Sequence, residues 1–316
     1  MEANVRWVAL TAVAPVAWGT NYFVTHEYLP ADRPLSGAAL RALPAGLLLL
    51  AVRGQRPRGA WWWRSAVLGL LNVSVFFVLV YVASQLLPTS VAATVMAVSP
   101  LTMMLIAWLV VSERPSATHL SGAGVGLAGV CLMLLTGVEG VSVPGVLASA
   151  AAMLMSSFGY VLAKRWSADA DVLASTAWQL TAGGLFLLPV AAAVEGPPAA
   201  LSLSEILAFV YVGLIATALA FAAWFTGLRH LPAGTVGLIG LLNPFTGVLL
   251  GTAVAAEVLT VRQLCGLALV LAGVVLGRPG RAERRGGGRT RTRAVADERP
   301  GSGEDPARDP SRCGPG

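Results

Sequence analysis

A displacement of 144 positions lays the later part of this chain on the earlier part. It places Leu87 and Pro88 on Leu231 and Pro232, Pro100 on Pro244, Thr102 on Thr246, Glu113 on Glu257, Gly122 on Gly266 and Gly129 on Gly273, with no gap. The stretches between these anchors are apolar in both copies, so the repeated unit is a membrane unit, and a repeat constrains architecture before any single segment does. Of 316 residues, 56% are hydrophobic and 12% charged. The apolar residues run in blocks of roughly 20, the length that crosses hydrocarbon. A net charge of +6 does not point to nucleic acid, because 10 of the 22 basic residues follow Leu276 and the others cluster between apolar blocks, where lipid headgroups lie.

The apolar blocks predict ten helices, over Val5 to Thr25, Leu35 to Val52, Ser65 to Ala83, Thr89 to Val111, His119 to Gly137, Gly145 to Ala163, Val172 to Val194, Glu205 to Gly227, Pro232 to Ala255 and Val261 to Leu276. An alternative for the first block is a cleaved signal peptide, since Ala12-Val13-Ala14 follows Arg6, but the apolar run continues well beyond it. Five helices per copy is an odd number, so the copies enter the membrane from opposite sides. The expected fold is an all-α integral membrane protein of ten transmembrane helices in two inverted five-helix repeats, residues 1–137 and 138–277, followed by a tail at 278–316. Arg6, Arg53, Arg56, Arg58, Arg64, Arg114, Lys164, Arg165 and Arg229 fall on one face, against Arg33 and Arg262 on the other. That bias predicts a multi-pass protein of the cell (plasma or inner) membrane with both termini cytoplasmic. The tail has almost nothing to bury and is expected to be disordered and cytoplasmic. Its arginines, Arg278 to Arg293, either hold anionic headgroups or act as a plain positive anchor.

Pro100 and Pro244 fall inside the fourth and ninth blocks, where each lacks an N–H and should kink its helix, leaving the Met96 and Gly240 carbonyls without helical partners. Freed carbonyls are tolerated in hydrocarbon only inside protein or beside a watery cavity. Ser99 and Asn243 add polar groups at that depth, so the pair marks a candidate midplane site, with a plain packing kink as the alternative. Arg41 is the one basic residue well within a block, about 9 Å from its end at 1.5 Å per residue. Either it snorkels outward or it lines a cavity and attracts a carboxylate or phosphate. A displacement of 138 places Gln179 at its position in the second copy, so the charge is not repeated. Phe77 and Tyr81 map onto Phe221 and Phe225, each pair on one helical face, and Trp18, Asn21 and Tyr22 share a face of the first helix. These stripes suit an amphiphilic or aromatic solute, or ordinary helix packing. Trp61, Trp62 and Trp63 read as an interfacial belt. Gly122 with Gly126, Gly247 with Gly251 and Ala268 with Ala272 read as close-packing devices. Glu113 and Glu257 lie at helix ends, about 20 Å from the prolines, and are expected to cap or anchor loops.

No P-loop or H-E-x-x-H is present, no G-x-G-x-x-G follows a strand, and Cys131, Cys265 and Cys313 show no ligand spacing, so the chain reads as no enzyme, with no catalytic residues, metal, disulfide or cofactor expected. Trp18-Gly19-Thr20-Asn21-Tyr22-Phe23, Arg41, Leu87-Pro88, Pro100 and Glu113-Arg114-Pro115 in this order, with the later ones echoed in the second copy, resemble the EamA family of the drug/metabolite transporter superfamily. The resemblance covers residues 5 to 277, and departs where Val258-Leu259 replaces Arg114-Pro115. It implies a ten-helix inverted-repeat carrier, often an exporter of amino acids or other small metabolites. The function expected is secondary transport by alternating access. The candidate substrate-binding residues are Trp18, Asn21, Arg41, Tyr81, Ser99, Pro100, Gln179, Phe225, Asn243 and Pro244. The alternatives are a lipid or lipid-linked sugar flippase, and a non-transporting receptor or scaffold. Expected partners are a small-molecule substrate and membrane lipid, with no nucleic acid, and a homodimer is left open.

Overall fold

The computed structural model describes residues 2–87, 92, 95–134, 142–167, 170–197, 200–255 and 260–277. Pro88, Glu257, Val258-Leu259, Cys313 and the tail lie outside these residues. Among the described residues the chain forms ten helices: α1 Glu2–Tyr28, α2 Pro34–Arg53, α3 Trp61–Leu86, α4 Ser99–Val111, α5 Ala117–Leu134, α6 Val143–Trp166, α7 Val172–Val194, α8 Leu203–His230, α9 in two segments, Ala233–Ile239 and Leu242–Ala255, and α10 Val261–Leu276. Five of them, α2, α3, α6, α7 and α8, are long and apolar enough by length and composition alone to cross a membrane. Local chemistry sets their ends. Gly54, at φ 61°, closes α2 with its N–H on the Leu50 carbonyl, and Ser202 with Glu205 forms a capping box at the start of α8.

The helices pair across the repeat rather than within it. Helix α1 packs on α8 and α9, and its counterpart α6 packs on α3 and α4. Helix α2 lies on its counterpart α7, and α5 on α10. Each half therefore gives its first helix to the other, which is the arrangement an approximate twofold axis between inverted copies produces.

Two local departures from regular helix follow the repeat. A π-helical turn interrupts α3 at Leu70–Ser74 and another interrupts α8 at Leu214–Leu219, starting one repeat displacement apart. Each turn follows a glycine, Gly69 and Gly213, one repeat displacement apart, and inserts one extra residue into the i to i−4 ladder. The kinks expected at the prolines are instead breaks. Ala97 and Val98 form a turn and Pro100 stands in the first turn of a new helix, where its missing N–H costs nothing. In α9 the break falls at Gly240 and Leu241, and the Gly240 carbonyl, expected to lack a helical partner, accepts the Asn243 N–H at 3.0 Å. The tightened turn recovers the bond that Pro244 could not supply.

Candidate functional site

Between the two sets of helices lies a cavity lined by Trp18, Asn21, Arg41, Phe76, Val80, Met96, Ser99, Met103, Ser156, Tyr160, Trp224, Gly240, Asn243 and Pro244. Its volume is about 60 Å³, room for roughly four to six waters at ~10–15 Å³ each. The broken helices contribute Ser99 on one side and Gly240, Asn243 and Pro244 on the other. Gly19 lets α1 approach the break closely, since a Cβ there would stand 2.6 Å from the Asn243 carbonyl oxygen. The walls are aromatic. Trp18 lies parallel to Tyr160 with ring centroids 6.4 Å apart and meets Trp224 at 5.1 Å.

Arg41 does not snorkel. It is 8% exposed, and its guanidinium reaches inward to donate to Thr217 Oγ1 at 2.7 Å and to the Ala216 carbonyl at 3.2 Å, while lying 4.1 Å from the Phe77 ring centroid. The same Ala216 carbonyl accepts the Trp18 indole N–H at 3.0 Å. Both acceptors sit in the π-helical turn of α8, where the extra residue turns backbone oxygen away from the ladder. Burying a cation costs on the order of 2.5–3.5 kcal/mol at mid-helix; charge-assisted hydrogen bonds of about 1.5–3 kcal/mol each offset it. Polar capacity is left over inside the aromatic walls. Asn21 Oδ1 and Trp224 Nε1, on side chains 4% and 3% exposed, make no hydrogen bond among the described residues.

On the opposite side of the axis the counterpart arrangement is neutral. Asn72, in the π-helical turn of α3, donates to Gln179 Oε1 at 2.9 Å, and Ser74 donates to the Gly183 carbonyl at 2.9 Å. The 138-residue offset that carries Arg41 onto Gln179 carries Asn21 onto Gly159, which leaves room for the Asn72 amide, while the 144-residue offset carries Asn72 onto Ala216. Asparagine and small residue thus change places between the two sides.

Of the ten residues singled out from the sequence, Trp18, Asn21, Arg41, Ser99, Asn243 and Pro244 line the central cavity. Tyr81 lines a small cavity beside it, and Gln179 and Phe225 line another. Pro100 lines none of the three, and packs on Gly237 of α9, where a Cβ would stand 3.0 Å from its Cα. Trp61 leaves the expected interfacial belt: it is 6% exposed and packs on Trp178, while Trp62 and Trp63 are exposed. The Tyr22 side chain lies outside the described residues. Sequence reasoning missed Ser156, Tyr160 and Trp224. The repeat held a signal for two of them, since Trp224 stands one displacement from Val80 and Ser156 stands 138 residues from Trp18, and all four line the cavity.

At both ends of the bundle, groups from different helices are tied together. At the arginine-rich face, Glu113 after α4 pairs with Lys164 of α6 at 2.5 Å and accepts the Ala233 N–H at the start of α9 at 2.9 Å. Lys164 also donates to the Leu231 carbonyl at 2.8 Å. Glu113 thus anchors a loop and caps a neighbouring helix, as its place at a helix end suggested. Arg53 of α2 holds Asp171, the N-cap of α7, with two bonds at 3.0 and 2.5 Å, and this hydrogen bonding keeps the Asp171 carboxyl below its ordinary range. At the other face Glu195, after α7, accepts the Leu35 and Ser36 N–H groups at 2.6 and 2.8 Å and caps α2, and Tyr81 donates to the Pro30 carbonyl.

The described residues hold no group of three or more His, Cys, Asp or Glu placed to bind a metal ion. Comparison with known proteins finds the EamA-like transporter family twice, over residues 5–135 and 143–277. Protein PecM of Dickeya dadantii (strain 3937) is 36% identical over 265 residues, which is 83% of this chain and 89% of that one. Inner membrane transporter YedA of Escherichia coli (strain K12) is 29% identical over 83% of this chain and 87% of its own, and transporter YvbV of Bacillus subtilis (strain 168) is 27% identical over 86% and 91%. A chain of known crystal structure shares the fold with a TM-score of 0.72 at 22% identity, covering 86% of this chain and 98% of that one.

Proposed function

This chain belongs to the EamA-like transporter family, a family of membrane transporters and not of enzymes, and on that premise we propose that it exports a small amphiphilic metabolite, such as an amino acid, by alternating access. The observation that carries this reading is the central cavity. It combines a buried cation, aromatic walls, and the Asn21 amide oxygen and Trp224 indole N–H, which have no hydrogen-bond partner among the described residues. That is a site for a solute with an anionic or acceptor group at one end and an apolar or aromatic body at the other. The small volume fits a state closed at both faces, and the cross-packing supports a rocking of α1, α8 and α9 against α6, α3 and α4 in place of one sequence half against the other. We place the arginine-rich face in the cytoplasm of a cell with this chain in its inner membrane, because nine basic residues lie there against two opposite.

The test is efflux from proteoliposomes loaded with an amino-acid and amphiphile panel, with and without an imposed pH gradient. Saturable flux of one class is expected, and Arg41→Ala and Asn243→Ala should each reduce it by tenfold or more, at roughly 1.4 kcal/mol per tenfold. Undiminished flux in both correctly inserted variants would remove the cavity from the mechanism, and a silent panel with folded protein would remove the export reading.

A further inference from the structure

The small cavity that holds Tyr81 and the one that holds Gln179 and Phe225 are images of one another under the repeat. On the 138-residue offset, Thr25, Leu29, Gly37 and Arg41 of the first correspond to Ala163, Ser167, Ser175 and Gln179 of the second. On the 144-residue offset, Tyr81 corresponds to Phe225, and Leu68 of the second cavity corresponds to Val212 of the first. Each has a volume of about 10 Å³, room for about one water. One shares Asn21 and Arg41 with the central cavity and runs toward the Tyr81–Pro30 contact. The other contains Lys164 and Ser167 and runs toward the Glu113–Lys164 pair. Two unrelated packing defects would not select the same six positions of two helical repeats.

We infer that these cavities are the two closed half-channels of one solute path, and that Arg41 with Tyr81 and Gln179 with Phe225 are its specificity-determining gates. This rests on the transport reading above and adds the route and its asymmetry. The gate toward the arginine-poor face carries a guanidinium and a phenol, whereas the gate toward the arginine-rich face carries an amide and a phenyl ring. The cation of the second cavity, Lys164, is held in an ion pair by Glu113, so a solute with an anionic group meets the guanidinium of Arg41 on one side of the central cavity and a charge-neutral pair on the other. Such a gate favours anions at its own mouth and leaves the other mouth indifferent to charge.

The experiment uses the full chain with Cys131, Cys265 and Cys313 replaced by serine, reconstituted in liposomes and carrying either Thr25→Cys or Ser175→Cys. Each protein is reacted with an anionic and a cationic methanethiosulfonate of similar size, added to both faces. At position 25 the anionic reagent should react about tenfold faster than the cationic one, the low end of electrostatic steering, and Arg41→Gln should abolish the preference. At position 175 the two reagents should react alike. Weakening the opposite end with Glu113→Gln and Lys164→Gln together, which breaks the pair without leaving a net charge, should raise reactivity at 175 several-fold and lower it at 25. Equal reagent preference at the two positions, reactivities that rise together, or no reaction at either site in protein that transports would overturn the inference. Flux through the cysteine-substituted parent is measured in the same liposomes: flux without reciprocal labelling refutes the gates alone, and absence of flux across the panel refutes the transport reading.

Discussion

At the residue scale, the site turns on what a side chain finds when it leaves the lipid. Arg41 satisfies its donors on the π-helical turn of α8 while its plane rests on Phe77, and a lysine cannot do both, because its ammonium is a point charge without a planar face. Arg41→Lys is therefore expected to keep less than a tenth of the flux of a carboxylate-bearing solute, with thermal stability in detergent reporting that the fold survives. Gly159→Ala is a different test. Its methyl would collide with the Asn72 amide, which is fully buried, so the melting temperature should fall by the equivalent of about 1–3 kcal/mol. Gly159→Ala with Asn72→Ala, which copies the small residue opposite Asn21, should recover part of that loss. Trp18, Asn21 and Arg41 stood out in the sequence because polar and bulky groups are rare in apolar blocks. Tyr160 did not, since a tyrosine in a long helix carries no sign of which face meets another helix.

At the scale of elements, the repeated glycines are contact surfaces between counterpart helices. A Cβ on Gly122 would stand 2.7 Å from the Gly273 carbonyl oxygen, and one on Gly129 2.7 Å from the Gly266 carbonyl oxygen. The anchors that align the copies in sequence thus meet crosswise where α5 lies on α10. Gly273→Val should separate these helices and lower the melting temperature more than Gly124→Val, where a Cβ meets open space. The α2–α7 pair carries a pH dependence. The Asp171 carboxyl is depressed by Arg53, so its stabilisation is complete above the unfolded carboxylate range and is lost as pH falls through the depressed value. Melting temperature should hold steady between about pH 5 and 8 and fall below about pH 4, and Asp171→Asn should flatten that acid limb; solvent screening of this exposed pair keeps the effect small. Helix number was readable from block length; at the prolines a kink was readable and the full break was not. The π-helical turns were not, because they answer to partners on other helices.

At the scale of the molecule, the exchange of first helices makes the halves interdependent. Residues 1–137 and 138–277 expressed separately should each fail to accumulate as folded protein, because α1 and α6 would lose the helices they pack on, while co-expression should restore a complex. Stable, folded halves recovered alone, as judged by size exclusion and protease resistance, would contradict this. The same exchange means that the boundaries of the repeat are not the boundaries of packing.

The sequence by itself determined that this chain spans a membrane, that it does so in two related five-helix copies, and that polar groups gather near two helix-breaking prolines. Hydrocarbon allows few solutions, and each of those features follows from length, parity and the chemistry of proline. Only the tertiary structure decided that Arg41 turns inward to a freed backbone oxygen, that Pro100 serves packing while Pro244 faces the cavity, and that Gln179 and Phe225 stand apart from the central site in the image of Arg41 and Tyr81. Those outcomes depend on which faces of distant helices meet, and periodicity within one helix cannot specify the partner that its face will find.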